Sequence, residues 1–418
     1  MKTNNYSKFI LLWIGELISA IGSGLTSFGL GVYVFEQTGS AAGTSLVALF
    51  GFLPTLLLSV PAGVLADKFD RRIMMMIGDG CSAVGVIYIL ICMLNGGAEI
   101  WQICVGVFIS SSFSALLEPS YRATITDLLT KEQFSKASGM ISIAGSARYL
   151  ISPIAAGLLL IVSDIKLLLI LDILTLIPTV IAAAAVRKTV AKNSSADSSV
   201  SFMQSLKEGA AALTAKKGVV VLVAVSSVMT CFMGAIQILS QPMILSFADS
   251  AVLGTAETIC ACGMVASGIV LGTGLLKKNY SAVLGISLAI AGAAMVGFGL
   301  VENIVVVCIF GFLFFAMLPF ANSCLDYLVR TNIKAEHQGR VWGLIGFLSQ
   351  IGYVISYSAG GAAADFAAVK LNISVGRGSA AVIVAAGIML FVCAVAVCFI
   401  KSVKALEVTS YEPKNDTE

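Results

Sequence analysis

The chain has 418 residues, of which 58% are hydrophobic and only 12% charged, and its mean hydropathy is +0.97. A soluble chain of this length would carry about a quarter charged residues, so composition excludes a soluble multidomain protein and sets the apolar excess against lipid. The net charge of +3 gives no argument for a nucleic-acid partner. The ten cysteines (Cys81, Cys92, Cys104, Cys231, Cys260, Cys262, Cys308, Cys324, Cys393 and Cys398) lie inside or at the ends of apolar runs, without Cys-x-x-Cys or Cys/His spacing. They read as small apolar side chains, and no metal site is expected.

A spanning helix needs roughly 20 apolar residues. MKTNNYSKF leads directly into the first such run, Phe9–Phe35, which reads as an uncleaved helix. Eleven more follow: Ala42–Leu65, Ile73–Leu94, Ile100–Ala123, Ala137–Val162, Leu167–Val186, Val219–Leu245, Val252–Leu276, Ser281–Leu300, Ile304–Val329, Gly339–Phe366 and Ser379–Ile400. The pattern predicts an all-α membrane protein of twelve transmembrane helices in two pseudo-symmetric six-helix bundles.

The long polar stretch Arg187–Lys217 separates the halves. It contains KNSSADSSVS, a flexible-linker composition, then FMQSLKEGAAALTAKK, which is amphipathic and expected to lie along the inner face. The expected organisation is an N-terminal bundle over 1–186, a cytoplasmic linker over 187–217, and a C-terminal bundle with a short tail over 218–418. With both termini cytoplasmic, 22 of the 26 Lys and Arg fall on the inner side, as the positive-inside rule requires. Lys166, Lys370 and Arg377 fall outside, and Arg148 lies within a span.

The halves resemble each other. TKEQFSKASG (Thr130–Gly139) precedes the fifth run and KAEHQGRVWG (Lys334–Gly343) the eleventh. An offset of 204 pairs Glu132 with Glu336, Lys136 with Arg340, Ser152 with Ser356 and Gly157 with Gly361. Paired halves of this kind are the trace of a transporter built from repeats. Seven prolines (Pro54, Pro61, Pro119, Pro153, Pro178, Pro242 and Pro319) lie within spans, where neighbouring helices can meet the backbone groups they free.

Ionisable residues inside spans are costly in hydrocarbon and default to functional candidates. Glu16 stands about 10 Å into the first helix and Arg148 about 18 Å into the fifth, at 1.5 Å per residue. Asp79, Asp172 and Glu257 also fall within spans. A desolvated carboxyl group can load and release a proton, which makes Glu16 the first proton-carrier candidate, with Asp79 and Asp172 next and hydrogen-bonded structural acids as the alternative. Arg148 must meet an acid or a cavity. Glu118 and Asp326, near the inner surface, suit gate networks, whereas His337 sits in a loop too shallow for a relay. Trp13, Trp101 and Trp342 fall near the predicted interfaces, where an aromatic belt belongs.

The second helix ends in GVLADKFDRR, Gly63–Arg72. Gly63 permits close backbone approach, Asp67 puts a carboxylate at the membrane edge, and Arg71 and Arg72 hold the loop inside. Such a cluster either biases one conformation or is an ordinary basic loop. The decapeptide resembles motif A of the major facilitator superfamily, Gly-x-Leu-Ala-Asp-Arg-x-Gly-Arg-Arg. Gly63, Leu65, Ala66, Asp67, Arg71 and Arg72 match, Lys68 stands for the usual Arg, and Asp70 replaces the second glycine. The resemblance implies that Asp67 helps lock one conformation. The second-half copy, Gly272–Asn279, lacks the acid.

Trp13–Ala42, Leu117–Gly139 and Glu336–Gly352 are similar to the macrolide-efflux and siderophore-export branch of that superfamily. Ile151–Leu160 resembles its antiporter motif, Gly-Pro with trailing glycines: Pro153 and Gly157 match, Ser152 replaces the first glycine, and only one trailing glycine is kept. The resemblance further implies that Phe28, Tyr33, Phe232, Gln237, Gln241, Tyr353 and Tyr357, on helices 1, 7 and 11, line the central cavity. No phosphate-binding loop, selectivity filter or paired nucleophile and base occurs.

The expected protein is therefore a monomeric secondary transporter of the plasma membrane, without cofactor or enzymatic activity. It exports small amphipathic molecules in exchange for protons. An uptake symporter, a siderophore exporter and a transport-inactive scaffold or sensor are the alternatives. Tags in the Arg187–Lys217 loop and at the C-terminus should both be shielded from membrane-impermeant label in intact cells, and labelling of either from outside would refute the twelve-span map.

Overall fold

Hydrocarbon offers backbone N–H and C=O groups no water, so each crossing segment must bond within itself. The computed structural model describes residues 5–130, 133–187, 210–274, 276, 278–333 and 335–409. The side chains of Val60, Asp67, Ser135, Lys136 and residues 335–337, 339–340 and 408–409 lie outside that description, as does the predicted amphipathic segment before residue 210; of the rest, 210–214 are helical.

In chain order the helices are α1 (Tyr6–Thr38), α2 (Ala41–Lys68), α3 (Arg71–Leu94), α4 (Ile100–Ser114), α5 (Leu117–Leu128), α6 (Phe134–Leu150), α7 (Ser152–Val162) and α8 (Ile165–Arg187). There follow α9 (Lys217–Leu245), α10 (Ser250–Gly272), α11 (Tyr280–Leu300), α12 (Ile304–Arg330), α13 (Ala335–Leu371), α14 (Val375–Phe399) and α15 (Lys401–Thr409). Twelve segments among the described residues are long and apolar enough to cross a membrane. Two of them are broken helices, α4 with α5 and α6 with α7. Pro119 and Pro153 sit in the first turns of α5 and α7, where a missing N–H is tolerated and the preceding turn is disfavoured as helix.

Polar residues at helix starts explain several boundaries. Ser40 accepts from Gly43 N, Asp70 from Arg72 N, Asn303 from Val305 N and Ser374 from Arg377 N, each meeting an N–H that the helix cannot. Arg377, expected in a loop, thus lies in the first turn of α14 and pairs with Glu302 at 2.9 Å. Gly39 ends α1 at φ 59°, a left-handed conformation that favours glycine.

The chain divides into two compact units: Met1–Asp197 with Ala248–Thr258, and Ser198–Phe247 with Ile259–Glu418. The stretch 248–258, which the sequence division puts in the second half, groups with the first. In the first unit α1 runs against α8, and α3 packs on α4 and α8. In the second, α11 packs on α12 and α14, and α9 on α13. Outward side chains such as Leu57, Ile91, Leu158, Ile181, Ile269 and Phe399 are exposed, an apolar surface suited to lipid. Among the cysteines, Cys104, Cys260 and Cys324 are buried while Cys262 and Cys393 are exposed; all ten are free thiols.

Where the sequence suggested a plain tail, α15 folds back onto the second unit. Val403 and Leu406 are buried. Glu407 accepts from Tyr280 N at 2.8 Å and from the Ser281 hydroxyl at 2.7 Å, which caps α11. Asn332 donates to Leu406 O and accepts from Lys216 Nζ, joining the ends of α9, α12 and α15.

Close approach of α1 to α8 requires glycine. A Cβ at Gly22 would collide with Thr175 and stand 3.0 Å from Asp172 Oδ1, and one at Gly15 would stand 3.1 Å from the Thr179 backbone. Gly22→Val should therefore destabilise the purified protein by about 1–3 kcal/mol, the range for overpacking a core, read as a lower thermal unfolding midpoint.

Candidate functional site

The first unit contains a polar interior. Asp79 on α3 lies within electrostatic reach of both Glu16 on α1 and Asp172 on α8, and Glu118 and Tyr121 of α5 are within reach of Glu16. Asp79 is 2% exposed and Asp172 3%. Glu16 Oε2, Asp79 Oδ2, Asp172 Oδ1 and the Tyr121 hydroxyl are buried without a hydrogen-bond partner among the described residues. Thr179 stands next to Asp79, while Ser23 and Thr26 flank Asp172. Sequence reading missed these hydroxyls, and also Thr175, three residues beyond Asp172 on α8, whose hydroxyl bonds back to Asp172 O and whose spacing was an available signal.

Arg148 occupies an exposed face at the end of α6, and its charge attracts Asp172. Immediately after it the helix breaks. Ser152, fully buried, donates from its hydroxyl to Ile21 O at 2.9 Å and fills the space that Gly24 leaves open. Pro153 and Gly157 form a small-residue seam against Gly254 and Ser250 of α10, where the Thr258 hydroxyl donates to Leu150 O at 3.0 Å. Among the described residues no three His, Cys, Asp or Glu side chains converge as a metal site.

At the end of α2, Gly63 has open space beside it, and the Asp67 side chain lies outside the described residues. Arg71 donates to Asp127 Oδ1 at 2.8 Å and to Ala123 O at 3.3 Å. Arg72, 3% exposed, stands 3.7 Å from Asp127 Oδ2. Asp70 caps α3 and also pairs with Arg187 at the end of α8, 3.4 Å away. Its backbone is extended, at φ −66° and ψ 113°, so this turn does not need the glycine of the family pattern. Asp127 was not singled out from sequence, because nothing local marks it as the partner of residues more than fifty positions away.

The second unit brings together other candidates. The Tyr357 hydroxyl donates to Gln237 Oε1 at 3.1 Å, and Tyr353 stacks obliquely on Tyr357 with centroids 5.7 Å apart. Gly234 receives Ser356 and Tyr353 against α9, the counterpart of Gly24 with Ser152. Gln241, one turn beyond Gln237, is half-buried. Phe28 and Phe232 are buried, whereas Tyr33 sits at the far end of α1, where its hydroxyl accepts from Ala98 N and Gln37 Nε2. Glu118 and Asp326 each pair with an arginine one turn along the same helix. Trp13 donates to Met140 O at 2.6 Å, and Arg330 lies over the Trp342 ring.

Among the described residues, twelve segments able to span a membrane, two of them broken at prolines, define a multi-pass membrane protein with unpartnered carboxylate oxygens in its first unit. The chain belongs to the Major Facilitator Superfamily, whose family model matches residues 12–357. It is 30% identical over 227 residues to macrolide efflux protein A of Streptococcus pyogenes, covering 54% of this chain and 56% of that protein. It is 25% identical over 167 residues to the multidrug efflux pump Tap of Mycolicibacterium fortuitum, covering 38% and 40%. The chain thus spans about half the length of these curated relatives. Among solved structures, a bacterial homologue of the human lysosomal transporter Spinster superposes with TM-score 0.74 at 14% identity over 99% of this chain and 100% of that one. The nucleoside transporter NupG gives 0.71 at 13% identity over 94% and 100%. At such identities the likeness is one of fold.

The network at Asp127 sets an order of stabilities. Asp127→Ala strands Arg71 and Arg72 and should cost about 3 kcal/mol, as for breaking a buried ion pair from one side. Asp70→Ala removes a cap and a half-exposed pair and should cost about 1 kcal/mol. Thermal unfolding midpoints of the two purified variants check the order.

Proposed function

We propose that this transporter exports small amphipathic molecules across the plasma membrane in exchange for protons, by alternating access, with both termini cytoplasmic. The observation that carries the reading is the interior of the first unit, where Glu16, Asp79 and Asp172 hold unpartnered carboxylate oxygens away from solvent. The proton of a carboxyl group held away from water responds to the charges and hydrogen bonds around it. With Asp79 in reach of both Glu16 and Asp172, the group can take up and give back a proton as its surroundings change. Arg148 supplies a positive charge beside Asp172, able either to discharge that acid's proton or to meet an anionic group on a substrate. Relatives that carry macrolides and multiple drugs outward support the direction and the amphipathic class.

The test uses purified protein in sealed proteoliposomes with an imposed pH gradient and radiolabelled erythromycin as the macrolide probe. Gradient-driven accumulation is expected in the antiport polarity. Glu16→Gln should abolish it while leaving exchange at equal pH intact, because exchange needs no net proton release. Full uphill transport by Glu16→Gln would move the carrier role to Asp79 or Asp172, tested as Asp79→Asn and Asp172→Asn. Arg148→Ala should weaken binding or shift the pH optimum. Accumulation only in the opposite polarity, or in neither, would overturn export by antiport.

A further inference from the structure

At the end of the first unit remote from Glu16 lies a cavity of about 500 Å³, within the range of small-molecule sites. Glu36 at its mouth is twenty residues beyond Glu16 on the same continuous helix, hence about 30 Å away at 1.5 Å per residue. The cavity is therefore separate from the carboxylate interior. Val32, Met93, Leu94, Leu160 and Ile165 give the apolar part of its lining, together with Tyr33, and Glu36, Ser163, Asp164 and Lys166 the polar part. Gly96 and Gly97, at φ 114° and 119°, turn the chain beside it with no side chain to fill the space.

The charges around this space do not cancel. Lys166 is engaged with Asp164, through Nζ to Oδ2 at 3.1 Å and through its N–H to Oδ1 at 3.1 Å. Glu36 is exposed and has no ion pair among the described residues. The Tyr33 hydroxyl already accepts two N–H groups, so its own proton remains available to a ligand oxygen. One uncompensated carboxylate in a cavity also lined by apolar side chains and an aromatic ring suits a single positive charge carried on a hydrophobic body.

We propose that this cavity is a binding site for monovalent amphipathic organic cations. Its role as the release-side site of an exporter rests on the function proposed above, but binding itself does not, and it can be measured without transport. Ser163 lines the cavity and is exposed, so Ser163→Cys in the full-length protein, reconstituted in lipid nanodiscs, places a reporter there. Maleimide modification at position 163 is followed by peptide mass spectrometry, with tetraphenylphosphonium as the cation and tetraphenylborate as an anion of the same shape.

Tetraphenylphosphonium is expected to slow modification and tetraphenylborate to leave it unchanged. Adding Glu36→Gln should raise the half-protecting concentration about fivefold, the scale of one solvated ion pair. Lys166→Gln, which releases Asp164, should lower it. Equal protection by tetraphenylborate, no protection by the cation, or a half-protecting concentration unmoved by Glu36→Gln overturns the proposal. Loss of erythromycin transport with protection intact would instead count against the export reading alone.

Discussion

The polar interior of the first unit depends on the distance between α1 and α8. Gly22 leaves the volume that Thr175 and Asp172 occupy, and Gly15 does the same for the backbone at Thr179. With larger residues there, α8 would stand off and Asp172 would lose its place beside Ser23, Thr26 and Arg148. In lipid no hydrophobic force draws helices together, so close backbone approach carries the packing. The same approach shuts water out, and an unpartnered carboxylate oxygen in such a place costs about 1–3 kcal/mol or more.

The two units use one packing device for different ends. Ser152 against Gly24 and Ser356 against Gly234 are matching contacts of the repeat. In the second unit the neighbouring polar groups on α9 and α13 are bonded: Ser227 donates to Leu348 O, Thr230 to Ser349 O, and Tyr357 to Gln237. In the first unit the corresponding region holds Arg148 and the acids. The repeat thus conserves the steric interlock and differs in charge, which concentrates titratable chemistry in one half.

The ends of the helices are fastened by local acids whose partners are distant. Asp70 serves as helix cap and as partner of Arg187, and Asp127 holds the two arginines that follow. The departure from the family pattern at Asp70 therefore exchanges a flexible turn residue for a cap and an ion pair. Glu407 performs a comparable capping role for α11 from the opposite direction along the chain.

Sequence by itself determined the membrane class and the twelve spans, because the hydrocarbon constraint acts on every residue of a segment and leaves a long, redundant signal. Pro119 and Pro153 were visible as bends, but that each splits its span into two helices depends on what meets the backbone groups at the break, such as the Thr258 hydroxyl that donates to Leu150 O. Glu16, Asp79, Arg148 and Asp172 were legible one by one, since a charge within an apolar run is conspicuous. That the three acids share one interior, with oxygens unpartnered, was decided by helix rotation and by glycines on a different helix. Asp127, Asn332 and Glu407 carried no local mark, being ordinary polar residues near helix ends. Their roles came only from tertiary structure, which brings charges and hydrogen-bonding groups far apart in the chain within 2.7–3.0 Å, a proximity that no periodicity or spacing encodes.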